Sequence, residues 1–215
     1  MKHYVDIETW ERKDNYNFFR DFLNPTISIT SEVTCGGAKK RAKEAKQSFF
    51  LHYLYAILHA ANEVKEFRFR IDREGKVVYY DKVDVLTPIK IDEEGHFYTV
   101  RIPYHKDFDT FYKEAQAIIQ NIPTESKPYS NEEQGSVNTD FDMILLSATP
   151  DLYFTSITAT QEFRHGSNYP LMNAGKAVIR DNEWVMPIGM TVHHGFIDGH
   201  HLARFFQTVE AFLSK

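Results

Sequence analysis

Apolar residues recur along this chain with two periods, and each period marks one kind of element. Over 48–61, Phe49, Phe50, Tyr53, Leu54, Ile57, Leu58 and Ala61 stand three or four apart, the spacing of one helix face. The same spacing returns over 107–122 at Phe108, Phe111, Ala115, Ile118 and Ile119. It returns again near the end at Leu202, Phe205, Phe206, Val209, Phe212 and Leu213. Alternation marks strands instead. Residues 26–34 (TISITSEVT) are β-branched and alternating, and further strands are expected over 83–91, 97–102, 142–147, 152–158, 172–180 and 184–194. Residues 67–71 alternate apolar side chains with arginine, and Asp72-Arg73-Glu74-Gly75 turns the chain into 77–80, so a hairpin is expected. Arg68 and Arg70 then share one face, read as solvated or ion-paired. A second hairpin is expected at Asp181-Asn182-Glu183. Residues 6–23 read as a short strand and a helix stopped by Pro25, and the charged run 39–46 (KKRAKEAK) as a solvated helix start.

Together these elements predict an α+β two-layer sandwich: a mainly antiparallel mixed sheet with amphipathic helices on one face, forming one domain over 1–215. The polar connection 123–138 is longer than a compact domain ordinarily needs and is read as a lid or a subunit-contact loop. The remaining bulk properties narrow the classes. A hydrophobic content of 42% suits a globular chain, and a net charge of −5 argues against a dedicated nucleic-acid or anionic-membrane partner. No signal region or apolar run of spanning length is present, so a soluble, cytoplasmic protein is expected. Cys35 is the one cysteine. It permits neither an intrachain disulfide nor a cysteine zinc cluster, and reads as an incidental thiol in a turn.

The chemistry concentrates in 190–206 (MTVHHGFIDGHHLARFF), with four histidines and an aspartate. Imidazoles and a carboxylate suit a metal, yet adjacent histidines on a strand point to opposite faces and no HExxH spacing occurs. Asp198-Gly199 before a periodic helix suits an N-cap, with His200 and His201 as surface residues of its first turn. A histidine at a strand end with a carboxylate one turn later suits general-base catalysis. The residues alone leave all three readings open.

VHHGFIDGHHLARFF is similar to the HHxxxDG segment of the chloramphenicol acetyltransferase family. Three other motifs follow in that family's order: Trp10-Glu11-Arg12-Lys13, Glu66-Phe67-Arg68 with Tyr80-Asp81 after the turn, and Ser147-Ala148 with Phe154-Thr155-Ser156. The resemblance spans nearly the whole chain. It implies a homotrimer with active sites between subunits, acetyl-CoA as donor, a small hydroxylated acceptor and no metal. It makes His194 the general base, Ser156 the hydrogen-bond donor to the oxyanion, and Asp198 a structural partner of Arg12, with His193 facing away. An imidazole, with an ordinary pKa near 6.5, is matched to taking a hydroxyl proton at neutral pH.

The departures fall on the ligand side. Leu23-Asn24-Pro25-Thr26 replaces the family's aromatic C-T-Y-N-Q stretch, Asp151 stands where a tryptophan is common, and Asn173 replaces a threonine on the cofactor side. They leave the acceptor open between chloramphenicol and another small alcohol, amine or thiol, because the HxxxDG core also resembles dihydrolipoyl acyltransferases. They also leave room for a non-catalytic trimeric acetyl-CoA or ligand-binding homologue.

Overall fold

The structure is a computed structural model that describes residues 1–123, 141–160 and 168–215. Apart from Pro123, the connection read over 123–138 lies outside the described residues.

Six strands form the spine of the molecule in the order β2-β10-β8-β7-β5-β6: β2 (Thr26–Thr34), β5 (Asp84–Lys90), β6 (Phe97–Ile102), β7 (Met143–Thr149), β8 (Leu171–Gly175) and β10 (Glu183–His193). β7 pairs in parallel with β5 and β8, and every other neighbour pairs antiparallel. The short β9 (Val178–Arg180) adds to β10 through a two-residue turn. Asp181 (φ 49) and Asn182 (φ 68) supply the two left-handed conformations that a primed hairpin turn demands. The span 172–180 therefore divides into β8 and β9 instead of running as one strand.

The expected hairpin of β3 (Phe69–Ile71) and β4 (Val77–Tyr80) forms, but in a separate three-stranded sheet with β1 (Lys2–Tyr4). The N-terminal strand thus lies before residue 6, and the span 6–23 holds turns and α1 (Lys13–Phe19). Arg70 does not face solvent. It is 1% exposed, and its guanidinium donates to the carbonyls of Phe67, Phe69, Phe141 and Met143 at 2.7–2.8 Å. The hairpin closes on the chain at 141–143, so the alternation turns this side chain inward. Arg68 lies over the Tyr79 ring, 4.8 Å from its centroid.

The helical layer holds α2 (Gly36–Glu44), α3 (Phe49–Glu63), α4 (Phe108–Gln120) and α5 (Gly199–Leu213). The charged run is a helix of its own. Lys46 takes φ 54, the Gln47 N–H reaches the Ala42 carbonyl at 2.7 Å, and the Lys46 N–H reaches Lys43 at 3.2 Å, a Schellman stop with lysine where glycine is usual. Cys35 sits at the start of α2, fully buried in the core. Met172, Ala174, Met186, Ile188, Met190 and Val192 join α3 and α5 in that core. No helix among the described residues is long and apolar enough to cross a membrane.

The opposite face explains a second departure. Residues 152–158 form no strand. β8 already has β7 and β10 as neighbours, so the segment lies flat across the sheet, and two glycines make the room. A Cβ on Gly175 would stand 2.7 Å from the Phe154 ring, and one on Gly189 2.3 Å from Ile157 Cγ2.

Candidate active site

The sheet delivers His193 and His194 at the end of β10, and the turn 195–198 carries the chain into α5. Successive residues diverge as a strand requires. His193 is 4% exposed and packed against Tyr16 and Phe196, its Nδ1 accepting the Gly195 N–H at 3.1 Å. Burial, and then the charge of a protonated His194, lowers its pKa to about 4. His194 is half-buried. Its ring stacks on Phe19 at 4.2 Å and its Nδ1 lies 3.0 Å from the Ile197 carbonyl. A carbonyl only accepts, so Nδ1 carries a proton, and in the neutral ring Nε2 then presents a bare lone pair.

The turn behind this ring is held from both sides. Arg12, in the loop before α1, reaches Asp198 Oδ2 with Nη1 at 3.1 Å and the Gly195 carbonyl with Nε at 3.4 Å. Burial alone would raise the Asp198 pKa. The Arg12 hydrogen bond and the nearby His201 and Arg12 charges outweigh it and hold the carboxyl below its ordinary value. Asp198 also caps α5, accepting from the His200 N–H at 3.1 Å. The expected joining of residues 12 and 198 is therefore made.

Two residues differ from their sequence reading. His201 is no surface residue of the first turn: it is 9% exposed, its Nδ1 accepts the Asp198 N–H at 3.2 Å, and its Nε2 faces Glu66 at 3.6 Å. His200 is exposed as expected. Phe19, which sequence reasoning treated as part of a helix face, forms one wall of the His194 site. No local pattern signals this, because the start of β2 comes beside His193 only through its pairing with β10.

Ser156 is exposed on the flat segment between Phe154 and Ile157, and among the described residues no hydrogen bond joins it to His194. The segment borders a cleft of about 530 Å³ lined by Ser147, Ile157, Thr158, Leu171, Asn173 and Thr191, among others. Asn173 accepts from Thr149 Oγ1 at 2.9 Å. Among the described residues, the ligand-type side chains close enough to share an ion are Asp92, Glu94 and His96 in the β5–β6 turn, not the histidine segment.

This two-layer fold recurs in a class of solved structures of distant sequence. The cubic core of the pyruvate dehydrogenase multienzyme complex is similar in fold, at 14% identity and TM-score 0.61 over 94% of this chain and 86% of that one. Within that class the sequence is specific. The family model of chloramphenicol acetyltransferase matches residues 2–210, and the chain belongs to that family. A solved structure named chloramphenicol acetyltransferase is 65% identical, with TM-score 0.95, covering 99% of this chain and 100% of its own. The chloramphenicol acetyltransferase of Clostridium perfringens is 25% identical over 98% of this chain and 94% of its own. Chloramphenicol acetyltransferase 3 of Escherichia coli is 24% identical over 95% and 93%.

Proposed function

We propose that residues 1–215 form one cytoplasmic acetyltransferase domain that moves an acetyl group from acetyl-CoA to the hydroxyl of a small acceptor, with His194 as general base. The observation that carries this reading is the His194 Nδ1 to Ile197 carbonyl bond, which turns the Nε2 lone pair outward. The acceptor hydroxyl gives its proton to Nε2 as its oxygen attacks the acetyl carbonyl carbon. The carbon–sulfur bond then breaks, and the CoA thiolate leaves with the proton returned from His194. Ser156 donates a hydrogen bond to the oxyanion formed between these events. Arg12 and Asp198 keep the turn in place, and Asn173 borders the CoA side of the cleft.

The assembly is a homotrimer with sites between subunits. This reading is supported by the exposed Phe18, Phe22 and Leu23 beside the His194 site. Chloramphenicol is the first acceptor to test, followed by other hydroxylated compounds, amines and dihydrolipoamide. The assay is thiol release from acetyl-CoA. His194→Ala should lose 10²–10⁴-fold in kcat, the usual worth of a general base. Ser156→Ala should lose about a hundredfold. Full activity in His194→Ala ends the assignment, and tight acetyl-CoA binding with no turnover on any acceptor ends the enzyme reading.

A further inference from the structure

Among the described residues, no carboxylate hydrogen-bonds the base His194. Its Nδ1 proton goes to a backbone carbonyl, that of Ile197. The peptide unit that owns this carbonyl also owns the Asp198 N–H, and that N–H donates to Nδ1 of His201 at 3.2 Å. One peptide plane therefore stands between two imidazoles. Behind the second imidazole, Nε2 of His201 faces Oε1 of Glu66 at 3.6 Å, in the 3-10 turn Lys65–Arg68. Glu66 is 9% exposed, and its other oxygen has no partner among the described residues.

We propose that Glu66 and His201 are positioning residues for the general base, acting through the Ile197–Asp198 peptide. The carboxylate field favours the His201 tautomer that carries its proton on Nε2. That tautomer leaves Nδ1 as an acceptor for the Asp198 N–H. An N–H engaged this way fixes the peptide plane and strengthens its carbonyl as an acceptor, as hydrogen bonds in series polarise one another. The strengthened carbonyl holds the His194 proton on Nδ1 and keeps the lone pair on Nε2. A carboxylate orienting an imidazole is a common device at triads and metal sites, and here a second imidazole and a peptide stand between the carboxylate and the base.

The arrangement works only with His201 neutral. Protonated, its Nδ1 would donate to Asp198 Oδ1, 3.0 Å away, and the Asp198 N–H would lose its acceptor. The groups facing His201 are Glu66 from the 3-10 turn, Asp198 and His200 from α5, and Arg12 from the N-terminal loop. Burial lowers its pKa, and Arg12 and His200 add to the lowering, which together exceed the raising by Glu66 and Asp198.

The inference rests on His194 being the base, and its test separates the two. In the wild-type protein, ring ¹⁵N shifts should show His201 unprotonated at Nδ1 and protonated at Nε2, and His194 the reverse. His201→Leu should mix the His194 tautomers and lower kcat about tenfold at unchanged KM for acetyl-CoA, the usual scale for an orienting partner. His201→Asn, whose amide oxygen can accept the same N–H, should restore most of that loss, and Glu66→Gln should fall between. A His201 protonated at Nδ1 in the wild type would overturn the inference. So would His201→Leu with a single His194 tautomer, or Leu and Asn variants equally impaired. If instead His194→Ala stays active, the base assignment fails, while the tautomer measurements still decide the relay.

Discussion

His193 and His194 share a chain position to within one residue and differ in everything that sets their chemistry. His194 keeps one ring nitrogen free at a half-buried edge, while His193 is enclosed by Tyr16 and Phe196. Enclosure favours the neutral ring and places the folded pKa of His193 at about 4, below the ordinary 6.5. Between these values the unfolded chain binds a proton that the folded chain refuses, so stability rises with pH across the interval. The contribution is fully present above about pH 6.5 and is lost as the pH falls towards 4, with a ceiling of about 3 kcal/mol. Burial lowers His52, in α3, to about 4 as well, with the Arg41 charge adding to it, so it acts in the same direction. Urea unfolding at pH 7.5, 5.5 and 4.5 measures this loss. His193→Gln should flatten the pH slope, and an unchanged slope would show that another group carries it.

At the scale of elements, the flat segment 152–158 is held by what the sheet lacks. Gly189 leaves Thr30 Oγ1 and Ile157 Cγ2 within 3.2 Å and 2.3 Å of where a Cβ would be. Ile157 is β-branched and has little rotamer freedom with which to retreat. Gly189→Ala should therefore cost about 1–3 kcal/mol through overpacking. It should also lower kcat more than it raises KM, because Ser156, the proposed oxyanion donor, rides on the displaced segment. A variant with wild-type unfolding midpoint and kinetics would show that the segment is not pinned there. The same segment marks where sequence pattern stops informing. Phe154, Thr155 and Ile157 have every local property of a strand, and only the occupancy of β8 on both sides denies them a partner. β2, by contrast, was readable to its end residues, because β-branched residues recur along its whole length between two clear ends. The Arg12–Asp198 contact came from the family resemblance, while the burial of His201 did not. That burial depends on Glu66, 135 positions earlier, a contact that no local pattern encodes. Arg70 escaped the pattern likewise, since its acceptors at Phe141 and Met143 come from a distant stretch.

At the scale of the whole molecule, the proposed mechanism requires an exposed Ser156 to meet a half-buried His194. In the proposed trimer the two come from different subunits, and this makes the assembly part of the chemistry. The consequence can be tested without a structure of the assembly. His194→Ala protomers lack the base but keep the serine, and Ser156→Ala protomers keep the base. Unfolded together in equal amounts and refolded, they should assemble at random, so that about one site in four over the whole population pairs an intact base with an intact serine. Thiol release from acetyl-CoA should then rise well above the average of the two variants refolded alone. If both groups served one site within a single chain, every site would carry one lesion and mixing would restore nothing. The two outcomes differ by an order of magnitude because each lesion alone costs about a hundredfold or more. Mixing after refolding, when subunits no longer exchange, is the control: activity should then stay at the average of the separate variants.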